Sequence, residues 1–152
     1  SQLLVCDVES KAVKHRFPIA GVSYGDRAYV VSPDGAEVIA FDLPDRVTGL
    51  CKLAVWNLDT GKKLRTLCEC GWAGAELELT PDGKRFVTCD VPGRRVLMGD
   101  VATGKVLATW KDWTGSGIAL APDGNSFAST GRAAGKGKPF TGVTRERIDY
   151  LK

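Results

Sequence analysis

The chain has 152 residues, 43% of them hydrophobic and 26% charged, with a formal net charge of +3. That balance is that of a globular protein, and no apolar run approaches the roughly 18 residues of a membrane-spanning helix. The small, evenly spread charge argues against nucleic acid as a partner, and the chain does not open with the charged-then-apolar pattern of a secretory signal.

In chain order, residues 3 to 17 read as the end of a third strand and a fourth strand, joined by the turn "DVESKAVK" that starts at Asp7. Residues 28 to 67 read as four short strands. "YVVS" runs into Pro33-Asp34-Gly35, where proline presets φ and glycine supplies the positive φ of a tight turn. The connection "LPDRVTGL" (43 to 50) separates the second strand from "CKLAVWN", and the turn "NLDTGKKL" (57 to 64) leads into the fourth. Residues 75 to 110 repeat the plan. "AELELT" (75 to 80) precedes Pro81-Asp82-Gly83, "RFVTCD" (85 to 90) follows, and a short Pro92-Gly93 connection leads to "RRVLMGDV" (94 to 101). The Thr103-Gly104 turn then brings in "KVLATW" (105 to 110). From 118 to 152 the order starts again with "IALA" and Pro122-Asp123-Gly124. The glycine-rich, basic stretch "GRAAGKGKPFTGVTRER" (131 to 147) reads as a long connection between the second and third strands. The chain is then expected to stop at "IDYLK" inside that third strand.

Pro-Asp-Gly recurs after 48 and then 41 residues, and the turn led by Asp7, Asn57 and Asp100 after 50 and then 43. Two different turn signals sharing one period define a repeat. Its strands, rich in Val, Leu and Phe, leave no room for a helix. The expected fold class is all-β: a partial, open β-propeller of four-stranded antiparallel blades, two complete and two incomplete, with residues 1 to 152 in one propeller domain.

These repeats resemble the WD (Trp-Asp) repeat family. Trp56-Asn57 and Gly99-Asp100 stand in the dipeptide position, and "SPDG", "TPDG" and "APDG" form the turn after the innermost strand. Neither dipeptide is a strict Trp-Asp, and the Gly-His pair usual before the inner strand is absent from every copy. The side-chain hydrogen-bond network of the family therefore cannot be complete. Closed propellers use about four to eight blades. A chain that begins on Ser1 and ends within a strand is thus expected to be a segment of a longer WD-repeat protein, whose remaining blades are partners for its outer faces.

Residues with chemical potential are few. "GDVATGKV" (99 to 106) nearly matches a phosphate-binding loop, but Val106 replaces the hydroxyl residue that would hold magnesium, and no helix follows. One histidine, His15, and five cysteines, Cys6, Cys51, Cys68, Cys70 and Cys89, give neither a nucleophile with an obvious base nor a four-ligand zinc set. The odd cysteine count points to free thiols in a reducing compartment, hence the cytoplasm. Asp34, Asp82 and Asp123 fall in the repeated turn and are expected to cap its backbone. No catalytic residue, metal site or cofactor is expected.

Two groups are candidates for partner contact. Tyr24, Trp72 and Trp113 each lie nine residues before the proline of a Pro-Asp-Gly turn. On one propeller face their rings would form an arc of anchors, or they would pack between neighbouring blades. Arg132, Lys136 and Lys138, with Arg145 and Arg147, make the basic stretch able to meet an acidic peptide or a phosphate group, or to keep an edge solvated. The expected function is a non-catalytic protein–protein interaction scaffold with protein or peptide partners on the loop face. The rival is part of an enzyme or cofactor-binding propeller whose active site lies largely outside this chain. Such a site would gather ionisable residues at the inner strands, where Glu78 stands alone.

Overall fold

A computed structural model describes residues 2–19, 29–71, 76–111, 113, 117–131 and 142–147. Among these the chain forms thirteen strands and no helix, so none is long and apolar enough to cross a membrane. The strands make four antiparallel sheets in chain order. The first pairs β1 (Gln2–Cys6) with β2 (Val13–Pro18). The second is β3 (Tyr29–Val31), β4 (Glu37–Phe41), β5 (Leu50–Asn57) and β6 (Lys63–Gly71). The third is β7 (Leu77–Leu79), β8 (Arg85–Asp90), β9 (Arg95–Asp100) and β10 (Val106–Lys111). The last is β11 (Gly117–Leu120), β12 (Ser126–Gly131) and β13 (Gly142–Arg147).

Consecutive sheets pack face to face, which explains why their strands are apolar without alternation. Val38 to Phe41 are all buried, yet successive side chains of a strand point to opposite faces. Val38 and Ala40, with Ala54 and Trp56, pack on Phe17 of the first sheet and on Ile19 just beyond its second strand. Ile39 and Phe41, with Leu53 and Val55, pack on Phe86 and Leu97 of the third. The third sheet divides the same way, sending Val87, Cys89, Val96 and Met98 toward Ile118 and Phe127 of the fourth. A sheet covered on both faces needs apolar residues at every position of its middle strands.

The expected all-β blade array is observed, with two differences in detail. The fourth strand of the 28–67 blade continues to Gly71. More consequentially, residues 142–147 of the supposed 131–147 connection are strand β13, paired with β12 from Ser126↔Arg147 to Gly131↔Gly142. Arg145 and Arg147 therefore belong to a strand and not to a connection. The register also relocates the dipeptide position. Glu37 faces Asn57, Arg85 faces Asp100 and Ser126 faces Arg147, so Glu146-Arg147 stands in the dipeptide position of the last sheet, ahead of the "IDYLK" at which the third strand was expected to stop. A polar strand such as "GVTRER" carries little apolar signal, and its backbone pairing with β12 defines it instead.

Candidate functional site

The blade ends with the recurrent turns are tied by local bonds. Asp34 Oδ1 accepts from the Ser32 hydroxyl at 2.5 Å and the Ala36 N–H at 3.0 Å. Asp82 Oδ1 accepts from the Thr80 hydroxyl at 2.6 Å and the Lys84 N–H at 3.0 Å, and Asp123 accepts the Asn125 N–H at 2.9 Å. The expected capping role is thus present in all three copies. Those donors, the hydroxyl first and the N–H second, hold the Asp34 and Asp82 carboxyls below the usual carboxylate range. In the other turn, Asp100 accepts the Thr103 hydroxyl and N–H at 2.7 and 2.8 Å, and Asn57 and Asp7 do the same with Thr60 and Ser10.

Between the second and third blades these turns border a cleft of about 480 Å³, lined among others by Asp34, Glu37, Arg65, Asp82, Lys84 and Asp100. Arg65 spans it. Its Nη1 and Nη2 donate to the two Glu37 carboxylate oxygens at 3.0 and 2.9 Å, and its Nε donates to the Val101 carbonyl of the next blade at 3.1 Å. At the first interface the outer strand sends His15 across in the same manner, with Nε2 at 2.8 Å from the Asp59 carbonyl. Arg65, Glu37 and the three aspartates are thereby engaged in blade architecture.

The opposite end carries the variable connections. Asp90, whose side chain is 3% exposed, accepts N–H groups from Gly71 and Gly93 at 3.1 and 3.0 Å and the Arg95 Nε at 2.7 Å. A buried carboxylate needs such donors, and the Gly71 bond joins the outer strand of one blade to the next. Sequence reasoning missed Asp90 because its partners come from the end of β6, the β8–β9 connection and the start of β9. It also missed a fourth copy of the Asp-led turn inside "LPDRVTGL". There Asp45 accepts the Val47 and Thr48 N–H groups at 2.9 and 2.8 Å and the Thr48 hydroxyl at 3.1 Å, and Gly49 takes φ +69°. The Asp-x-x-Thr-Gly pattern was the available signal. This fixed turn leaves Leu43 50% and Val47 93% exposed.

Trp113 lies at this end, its N–H donating to the Arg94 carbonyl at 2.9 Å beside the β8–β9 connection. It is half-buried and packs against the cluster of Val87, Met98, Ile118 and Phe127, while its Nε1 is buried with no partner among the described residues. Tyr24, Trp72, Arg132, Lys136 and Lys138 lie outside the described residues. The five cysteines are free thiols.

No protein-family model and no curated protein sequence matches the chain. Among solved structures it is similar to TolB from Acinetobacter baumannii, with a TM-score of 0.62 and 23% identity over 94% of this chain and 34% of that one. It is also similar to a eukaryotic initiation factor, with a TM-score of 0.60 and 22% identity over 97% of this chain and 36% of that one. Both neighbours are β-propellers. The fold is a β-propeller. At these identities the likeness concerns the fold alone, and the chain spans about a third of the length of each neighbour.

Proposed function

We propose that the chain is a segment of a WD-repeat-like propeller that acts as a non-catalytic protein–protein interaction scaffold, holding protein or peptide partners at the end with the variable connections. The observation that carries this reading is the β4–β5 connection, where the Asp45 turn fixes a backbone that exposes Leu43 and Val47. A pre-ordered loop loses little freedom on docking, so its apolar side chains contribute more of their burial to affinity. Binding groups on a propeller reside in such loops, with the blades as a rigid support. The non-catalytic assignment is supported by the engagement of Asp34, Glu37, Arg65, Asp82 and Asp100 in turn and blade bonds. The cytoplasmic assignment rests on five unpaired thiols.

The test compares two charge insertions at opposite ends. Leu43→Asp with Val47→Asp alters the proposed surface, whereas Val8→Asp alters a side chain 90% exposed in the β1–β2 turn. Partners captured by the tagged chain should bind the first variant at least about tenfold more weakly and the second unchanged. Equal retention by both variants would remove the reading.

A further inference from the structure

Three of the five thiols gather on one strip of the second blade, a grouping for which the scaffold reading has no use. Cys51 of β5 stands directly opposite Cys70 of β6, and Cys68 stands opposite Leu53. Cys68 and Cys70, two residues apart on one strand, therefore share a face. All three belong to the apolar cluster between the second and third blades. Cys51 and Cys70 are buried, but Cys68 is half-buried on β6, the outermost strand of its sheet. Of the three, Cys68 is the residue that solvent reaches.

The local field separates their chemistry. A hydrogen bond from the Cys70 thiol, helped by the nearby Arg95 guanidinium, holds Cys68 below the ordinary thiol range against the opposing effect of burial. The same hydrogen bond, followed by burial, pushes Cys70 far up. Burial pushes Cys51 up to about 11.

We propose that Cys68 and Cys70 form a dithiol that responds to hydroperoxides, with Cys68 as the attacking thiol and Cys70 as the resolving one. The Cys68 thiolate attacks the peroxide, forming an S–O bond as the O–O bond breaks. This gives a sulfenic acid and, after proton uptake, water or an alcohol. Cys70 Sγ then attacks the Cys68 sulfur, an S–S bond forms, and hydroxide leaves as water with the Cys70 proton. Two electrons pass from the thiol pair to the peroxide. Residues two apart on a flat strand have Cα atoms about 6.6 Å apart, near the upper limit of about 6.8 Å for a disulfide. Closure thus requires β6 to pucker. As an edge strand with one neighbour it has that freedom, and a bulge at Leu67, where the register shifts, lies just ahead. The pucker falls one residue before Gly71, whose N–H holds Asp90 of the next blade.

The experiment treats the folded full chain with hydrogen peroxide, alkylates it in denaturant and maps the cysteines by mass spectrometry. The expected result is loss of two hydrogens in the peptide holding Cys68 and Cys70, with Cys51 and Cys89 alkylated. In Cys70→Ser, dimedone should trap a sulfenic acid at Cys68, and in Cys68→Ser neither product should form. A measurement without variants is iodoacetamide labelling of the native chain, where Cys68 should react at least about tenfold faster than Cys51 or Cys70. Equal labelling rates, or oxidation confined to the exposed Cys6, would overturn the proposal.

Discussion

Phe17 of the first blade and Trp56 of the second meet across their interface with ring centroids 6.0 Å apart and planes tilted by 50°. The last interface repeats the contact with Trp110 and Phe127, 5.0 Å apart and edge to face, and in the middle one Leu67 and Phe86 share a cluster. An outer-strand residue thus shares a cluster with an aromatic ring of the following blade each time. The ring comes from the third strand at Trp56 but from the second at Phe86 and Phe127. Across the strand pairing, Trp56 faces Val38 and Phe86 faces Gly99. One large and one small side chain fill equivalent space in either order, which accounts for glycine at the dipeptide position of the third blade.

That exchange is testable by reversing it. A Cβ on Gly99 would collide with the Phe86 ring, so Gly99→Trp alone should destabilise the chain by roughly 3 kcal/mol or more through overpacking. Phe86→Val combined with Gly99→Trp reproduces the Val38–Trp56 arrangement and should recover most of the loss. Urea denaturation of the single and double variants measures both. A double variant as unstable as the single would show that the two blades do not use equivalent space.

Two glycines with the same backbone should respond differently to alanine. Gly35 has φ +73° and open space for 4 Å around where a Cβ would lie, so Gly35→Ala should cost about 1 kcal/mol from left-handed strain alone. Gly104 has φ +72°, but its Cβ would lie 2.5 Å from the Leu67 carbonyl oxygen of the preceding blade. Backbone cannot yield as a side chain does, so Gly104→Ala should cost at least about twice as much. Equal losses in chemical denaturation would mean that the turn is not wedged against its neighbour.

Arg65 joins Glu37 in its own blade to Val101 in the next. Both ionic side chains are partly exposed, at 31% and 25%, so the pair should contribute modestly. A double-mutant cycle with Arg65→Met and Glu37→Gln should return a coupling of about 1 kcal/mol, weaker at high salt. A coupling near zero would assign Arg65 to packing and to its Val101 bond.

What the sequence disclosed follows the range of the interactions. The Pro-Asp-Gly turns were legible because Asp82 bonds residues within two positions of itself, and that chemistry is written locally. The blade plan was legible through the spacing of those turns. Asp90 was not, since Gly71 lies 19 residues away and nothing in "CDVPGR" announces a buried carboxylate. Strand β13 was hidden because polar residues are paired there by β12, and the Cys51–Cys70 juxtaposition because register depends on bulges that composition does not mark. Trp113 could be read as anchor or as packing, and the structure places it against the Phe127 cluster while part of it remains accessible.

The turn carboxylates also predict how stability responds to acid. Hydrogen bonds from Ser32, Thr80 and Thr103 lower Asp34, Asp82 and Asp100 from their ordinary value of 3.8. A carboxyl depressed on folding contributes stability that is fully present above its unfolded pKa and is lost as pH falls through its folded one. Melting temperature should therefore hold from pH 7 to about 5 and decline below about 4. Replacing all three by asparagine keeps the acceptor oxygens, as Asn57 does naturally in the second blade, but removes the titration. The triple variant should melt lower than the wild type at pH 7, and the gap should narrow toward pH 3. Some decline should remain, because the Ser10 and Thr48 N–H groups likewise depress Asp7 and Asp45. If the triple variant loses melting temperature between pH 5 and pH 3 as steeply as the wild type, the acid response originates in other carboxylates and the turn bonds are energetically silent.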